Sequence, residues 1–167
     1  MSNFKIEKLC VSKNYKGFKE FDCNDSMINH FVQKNLKKRV KKSFSQAFVL
    51  LDKDKFIGFY TLENFSIVKD DLSNLNLKSL PPSVPVVKLG MLAISKEYQK
   101  RGLGAKLLKN ALLKVVDISN LSGCVGIYLL SQPNAKEFYL NLGFNILKEQ
   151  TPTPMFLHID TIKEALS

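Results

Sequence analysis

Apolar and polar positions along the chain predict strands and helices in a mixed order. The polar turn at 52–55 joins two strand-like stretches and therefore predicts a hairpin. Residues 69–85 contain three prolines and predict an irregular connection with a short helical turn near Leu72 to Leu77. The short apolar stretches that predict strands are 4–11, 44–51, 56–68, 86–94, 124–130, 144–147 and 155–159.

Apolar residues spaced by three and four positions predict helices between these strands. One begins after Asn24 or Asp25, either of which can cap it, and ends at about Leu36. Another runs from about Leu103 to Val116, and a short one covers 134–142 with Gly143 at its end. The alternation of strands and helices predicts an α/β (α+β) layer structure, and residues 1–167 suit one domain.

Charge is the unusual feature of the composition. A formal net charge of +10 favours a polyanionic partner, a negatively charged cofactor, or both. Much of it crowds into the last turn of the first predicted helix and the residues beyond it, where the alternatives are a binding surface and a solvated helix end. The residues concerned are Lys34, Lys37, Lys38, Arg39, Lys41 and Lys42.

Cysteine and histidine give no sign of a disulfide framework or a metal site. Cys10, Cys23 and Cys124 are few, odd in number and not in metal-ligand spacing, and the two histidines lie far apart. No apolar stretch suggests a signal peptide or a membrane span. We therefore expect reduced thiols in a cytoplasmic protein.

The segment after the strand 86–94 has the spacing Q-x-x-G-x-G, formed by Gln99, Gly102 and Gly104. Two glycines before a helix let the backbone approach a ligand, and the free N–H groups of a helix start favour phosphate. A dinucleotide fingerprint would need a third glycine where Leu107 stands, and a P-loop sequence is absent. The segment therefore predicts either a pyrophosphate cradle or a tight turn alone.

Three features in this order resemble the GNAT superfamily of acetyl-CoA-dependent N-acetyltransferases. They are the strand Leu92-Ala93-Ile94 with its glycine cradle, the apolar strand 124–130, and the segment 135–144, which is similar to the family pattern A-x-x-F-Y-x-x-x-G-F. The resemblance implies a GNAT fold, with one mixed central sheet whose parallel strands splay apart and are flanked by helices. It also implies acetyl-CoA as cofactor.

The family pattern assigns roles to residues of this chain. Tyr139 is the implied proton donor to the leaving thiolate, the alternative being a core aromatic. Glu63 is considered as a general base, although a surface or capping carboxylate explains it as well. Gln132 stands where most members have asparagine. The cofactor-binding residues implied are Leu92, Ile94, Gln99, Lys100, Arg101, Gly102, Leu103, Gly104, Ala105, Gln132 and Phe138.

A narrower resemblance points to GNAT toxins of type II toxin–antitoxin systems, which acetylate aminoacyl-tRNA. It rests on residues 17–24, the following helix with its basic tail, and the strand 58–62, although Met91 stands where that group usually has a basic residue. The resemblance implies aminoacyl-tRNA as substrate, a cognate antitoxin, and a possible homodimer paired around Met155 to Ile159. The alternatives are acetylation of a small-molecule or protein amine, and a non-catalytic RNA-binding module.

Overall fold

The computed structural model describes residues 3–167. Its strands are β1 (Phe4–Lys8), β2 (Gln46–Asp52), β3 (Lys55–Val68), β4 (Ser83–Ile94), β5 (Gly126–Ser131), β6 (Asn145–Ile146) and β7 (Thr153–His158). In the described part of the chain they form one seven-stranded sheet with the order β1-β2-β3-β4-β5-β7-β6. Because β4 and β5 run parallel while β1–β2 and β5–β7 are antiparallel, the sheet is mixed, and the predicted fold class is confirmed.

Five helices complete residues 3–167. They are α1 (Ser26–Lys34), α2 (Leu36–Lys41), α3 (Leu103–Leu121), α4 (Lys136–Asn141) and α5 (Ile159–Leu166), with 3-10 turns at Lys69–Leu75, Lys96–Tyr98 and Pro133–Ala135. Within the same residues, no helix is both long and apolar enough to cross a membrane. α3 ends at Leu121 and not near Val116, because the residues that follow Val116 still suit a helix.

The chain divides into two compact units, and one of them contains the described residues up to Glu63 together with Gly90–Ala111. Here β2 and β3 form the predicted hairpin, with Asp52 opposite Lys55 across the turn. Ala47, Val49 and Leu51 alternate along β2 and are buried on one face of the strand, while Leu50 is buried on the other. The first three join one hydrophobic core with buried residues of both α1 and α2.

The first predicted helix is two helices in the structure. Asp25 caps α1, because its carboxylate accepts from the N–H groups of Met27 and Ile28 at 3.0 and 3.2 Å. Asn35 interrupts the helix with φ −124°, and α2 then turns Leu36 and Val40 into the core. The basic cluster, predicted to end a single helix, therefore lies mainly on a separate short helix.

The second unit contains Asn64–Leu89 and Leu112–Ser167. The parallel register of β4 and β5 joins Val87 to Ile127 and Lys88 to Tyr128, while β5 pairs with β7 along its whole length. A Cβ at Gly126 would overlap the Leu157 carbonyl of β7, so this position requires glycine. The core of this unit is built from Ile67, Leu72, Val84, Val86 and Phe156.

The C-terminal region differs from expectation in two ways. The sequence pattern predicted a final strand and no helix, whereas α5 follows β7 directly and is capped by the His158 ring, whose Nδ1 accepts from the Asp160 N–H at 3.1 Å. β7 lies between β5 and β6, so Met155 and Phe156 already have strand partners on both sides. A homodimer stays a prediction, but it cannot form by adding a strand at these two residues.

Candidate active site

The segment 99–105, called the cradle here, links the end of β4 to α3. Lys100 and Gly102 both adopt left-handed backbone conformations, with φ of 64° and 78°. A Cβ at Gly102 would meet nothing within 4 Å, so backbone conformation and not crowding accounts for this glycine. The Lys106 N–H is bonded to the Gly102 carbonyl at 3.2 Å, which leaves the preceding N–H groups at the start of α3 without helical acceptors. This geometry suits a bound phosphate.

Gln99 anchors the cradle to two other segments of the first unit. Its side-chain Nε2 donates to the carbonyls of Cys23 and Ile94 at 3.0 and 2.9 Å. Lys96 adds an ion pair to Asp22 at 3.1 Å, and its backbone N–H donates to the Asp22 carbonyl at 2.8 Å. The Gln99 side-chain amide is thus bonded within the protein, and the contact of this residue with a cofactor stays a prediction.

Asp22 is the centre of the loop that receives these bonds. Hydrogen bonds from the Asn24 N–H and the Asn29 amide, both 2.9 Å long, combine with the Lys96 ammonium to lower the pKa of Asp22 to about 2. The carboxylate is therefore ionised at any physiological pH. The sequence pattern indicated residues 17–24 only through the family resemblance; their bonds to Lys96 and Gln99 were not predicted, because these residues lie far along the chain.

We expect Gln99→Leu to lower the melting temperature by about 2–10 °C. The variant removes both hydrogen bonds and leaves two carbonyls without that donor, a loss of about 1–3 kcal/mol that corresponds to this shift in a chain of this size. Thermal unfolding followed by circular dichroism measures it. Gln132→Leu is the matched control, because Gln132 is exposed. Equal melting of the Gln99 variant and the wild type would show that these bonds do not anchor the cradle.

Tyr98 holds the Arg101 side chain at the cradle. The Tyr98 hydroxyl donates to Asp52 at 2.7 Å, which fixes the ring against the β2–β3 hairpin. The Arg101 guanidinium lies 5.0 Å from the ring centroid and also donates to the Glu97 carbonyl at 3.0 Å. Arg101 is therefore held in place, whereas Lys100 is exposed beside it. Both charges favour an anionic ligand, as the sequence predicts.

The end of β4 is packed tightly against β3 within the same unit. The Thr61 hydroxyl accepts from the Met91 N–H at 3.0 Å, and a Cβ at Gly90 would lie only 2.7 Å from this oxygen. The Ile94 carbonyl accepts a hydrogen bond from the Gln99 side chain, and its role as a backbone contact to the cofactor stays a prediction. Leu92 is half-buried and keeps its predicted role as a backbone contact.

Tyr139 lies on α4 in the second unit. Its ring is 7% exposed and packs edge-on against Phe138 and Phe144, with centroids 5.0 and 5.4 Å away. Burial raises the pKa of Tyr139 to about 12, and its hydroxyl has no hydrogen-bond partner within residues 3–167. The phenol is therefore fully protonated at neutral pH and able to donate its proton. Gly143, with φ 96°, ends the helix as predicted.

The predicted RNA-binding residues differ in how freely they can act. Lys37 donates to the Lys13 carbonyl at 3.0 Å and lies over the Phe18 ring at 4.7 Å, so its charge is partly engaged within the protein. Arg39 is paired with Glu63 at 3.0 Å. The other members are exposed and form what we call the basic surface: Lys34, Lys38, Lys41 and Lys42.

Glu63 is poorly suited to act as a general base. Its carboxylate is bound by Arg39 and accepts a hydrogen bond of 2.9 Å from the Ser45 hydroxyl. Both bonds go to the same carboxylate oxygen, so this side chain is already engaged within the protein. Residues 3–167 contain no group of three metal-ligating side chains, and the three cysteines described are free thiols.

Comparison with known proteins agrees with this geometry. A family model described as an acetyltransferase (GNAT) domain matches residues 43–146. A tRNA-acetylating toxin of Mycobacterium tuberculosis is 27% identical over 127 residues, which cover 75% of this chain and 76% of the relative. A crystal structure of a bacterial toxin is 34% identical, with a TM-score of 0.96 and coverage of 99% of this chain and 96% of that chain.

A ligand-bound structure is also similar. The crystal structure of AtaTR bound with AcCoA is 27% identical, with a TM-score of 0.87 and coverage of 98% of both chains. The family match alone spans well over half of the 167 residues and includes the cradle and Tyr139. The family predicted from the sequence is confirmed: this chain belongs to the GNAT acetyltransferases.

Proposed function

We propose that this protein transfers an acetyl group from acetyl-CoA to the α-amine of aminoacyl-tRNA and acts as a toxin. The main support is the cradle. Lys100 and Gly102 adopt left-handed conformations just before α3, and the N–H groups at the start of this helix are available to bind a pyrophosphate. The similarity to a tRNA-acetylating toxin supports the choice of substrate.

The residues of the cradle would hold the cofactor. The N–H groups at 102–105 would bind the pyrophosphate, with Lys100 and Arg101 adding charge. The backbone of Leu92 would bind the pantetheine arm, and Phe138 and Gln132 remain proposed contacts on the second unit. Gly104 lies in the first turn of α3, where a side chain would compete with a phosphate for space.

Tyr139 supplies the proton in the proposed reaction. Acetyl-CoA contributes a thioester, whose carbonyl carbon bonds to the attacking amine as the carbon–sulfur bond breaks. The phenol protonates the departing sulfur and recovers its proton from solvent, while the new amide nitrogen loses one proton to water. A phenol with a pKa of about 12 carries its proton at neutral pH, which is the form that a proton donor requires.

The nature of the acceptor follows from the absence of a suitable base at Glu63. A lysine-type amine has a pKa of about 10.4 and is almost entirely charged at neutral pH. An α-amine has a pKa of about 7.7–8.0, so a sizeable fraction is already neutral and can attack without help. An α-amine acceptor therefore suits a site in which Glu63, the one base that we considered, is paired with Arg39.

The formal net charge of +10 also fits the proposed partners. A cognate antitoxin with an acidic segment would be attracted to this positively charged protein, and such a segment can fold as it binds. A similar structure is described as a mutant AtaT toxin bound to the C-terminus of the antitoxin AtaR, at 25% identity and with a TM-score of 0.85. We therefore include an antitoxin among the proposed partners.

The direct test is an assay with labelled acetyl-CoA and defined acceptors. Charged tRNA should become labelled, whereas uncharged tRNA should not, because it lacks the α-amine. Calorimetric titration of acetyl-CoA checks binding separately from catalysis. Label that enters polyamines or protein amines but never charged tRNA would reject the acceptor, and absence of binding at millimolar acetyl-CoA would reject the reaction itself.

A further inference from the structure

The turn that follows α2 exposes an aromatic ring among basic residues. Ser43 adopts a left-handed conformation with φ 62°, and the chain then returns so that the Phe44 N–H donates to the Arg39 carbonyl at 3.0 Å. The Phe44 side chain is 58% exposed, which is unusual for a phenylalanine. Because this backbone bond fixes the turn, the ring is held outward by a defined local structure.

Arg39 lies beside this ring and is itself fixed. The centre of its guanidinium is 5.7 Å from the Phe44 ring centroid. Its terminal nitrogen donates to Glu63 at 3.0 Å, and its Nε donates to the Ser45 hydroxyl at 3.3 Å. The Ser45 hydroxyl donates to the same Glu63 oxygen at 2.9 Å, which closes the network. The Arg39 guanidinium is thus held in a fixed position beside the exposed Phe44 ring.

The position of this pair along β3 relates it to the proposed reaction. Glu63 is two residues beyond Thr61, so the two side chains share one face of the strand, about 7 Å apart. The Thr61 hydroxyl in turn binds the Met91 N–H, directly before Leu92 on β4. All of these residues belong to one compact unit. A series of contacts through Glu63 and Thr61 thus connects the pair to the β4 segment proposed to hold the acetyl donor.

We propose that Phe44 and Arg39 bind an unpaired nucleobase of the RNA acceptor. The inference rests on the proposed function and adds to it a site that contacts a nucleobase of the RNA and not its phosphates. Every nucleobase has an aromatic face that can stack on a phenylalanine ring, and an adjacent guanidinium adds a planar surface and charge. Lys38, Lys41 and Lys42 are exposed and directly precede the turn along the chain, and they would hold the neighbouring phosphates.

Comparison of two acceptors, charged tRNA and an amino-acid amide, tests the site with the intact enzyme. Phe44→Leu should raise the KM for charged tRNA about 5- to 100-fold, the range of a lost base–aromatic stack, while leaving the KM for acetyl-CoA unchanged. An amino-acid amide, which has the α-amine but no base, should be acetylated equally by wild type and variant. Phe44→Tyr should retain binding, because it keeps an aromatic face. Phe65→Leu, at another partly exposed phenylalanine, is the matched control.

Salt dependence separates stacking from charge. Phe44→Leu should lower tRNA affinity without changing the slope of log K against log salt, since it removes no phosphate contact. A KM for charged tRNA within twofold of the wild type in both Phe44→Leu and Phe44→Ala would overturn the proposal, as would weaker antitoxin binding with unchanged transfer. If the wild type acetylates the amide but no charged tRNA, the proposed acceptor fails instead, whatever Phe44 does.

Discussion

Replacement of Tyr139 by phenylalanine should lower kcat about 100- to 10,000-fold while leaving the fold and acetyl-CoA binding intact. The ring would keep its contacts with Phe138 and Phe144. The hydroxyl has no hydrogen-bond partner within residues 3–167, so its removal leaves no buried group unsatisfied. Steady-state kinetics with charged tRNA measures kcat, calorimetry measures acetyl-CoA binding, and thermal unfolding measures the stability of the fold.

Tyr128→Phe is the matched control for this variant. Tyr128 belongs to the same unit, and burial, together with the Asp71 charge, also raises the pKa of its phenol. We expect near-normal kcat in the control. Induced expression should stop growth with wild type and Tyr128→Phe but not with Tyr139→Phe. Equal kcat for all three proteins would remove Tyr139 from the mechanism.

The pH profile gives an independent check on the role of this phenol. Because its pKa is about 12, Tyr139 keeps its proton across pH 6–9 and contributes no falling limb in that range. The value of kcat/KM should rise with pH as the acceptor amine deprotonates, with a midpoint of about 7.7–8.0, and then level off. A midpoint near 10 would instead indicate a lysine-type acceptor.

Much of the fold could be predicted because local patterns and tertiary packing agree. The β2–β3 hairpin follows from two apolar stretches around a polar turn, and Gly143 marks a helix end because its backbone is left-handed. The α1–α2 break could not be predicted, since Asn35 has no strong breaking tendency of its own. It is the burial of Leu36 and Val40 that sets the direction of the second helix.

The candidate site was predicted in its backbone more fully than in its side chains. The glycine spacing identified the cradle, because glycine readily adopts the left-handed conformation found at Gly102; the same conformation at Lys100 could not be predicted. Gln99 was assigned to the cofactor, yet its amide binds the carbonyls of Cys23 and Ile94. Nothing in a linear sequence indicates which distant carbonyl an amide will reach. The same holds for Tyr98 and Asp52, which are far apart along the chain but directly bonded.

The basic surface provides the other large effect that we expect. Substitution of Lys34, Lys38, Lys41 and Lys42 by glutamine should weaken binding of charged tRNA on the order of 100-fold at physiological salt. Each lost phosphate contact should lower the steepness of log K against log salt by about 0.7–0.9. The KM for acetyl-CoA should not change, because these side chains lie outside the cradle. Filter binding across a salt series measures both quantities.

A second charge variant separates a defined surface from a general attraction of positive protein to RNA. Lys78, Lys109, Lys148 and Lys163 are also exposed, and their replacement by glutamine lowers the formal charge equally, from +10 by four to +6. Long-range attraction depends on the summed charge and would respond to both variants, whereas phosphate contacts require lysines at the interface. We therefore expect the control to retain most of its affinity and its salt dependence. Equal losses in the two variants would mean that the residues of α1 and α2 do not form the RNA-binding surface.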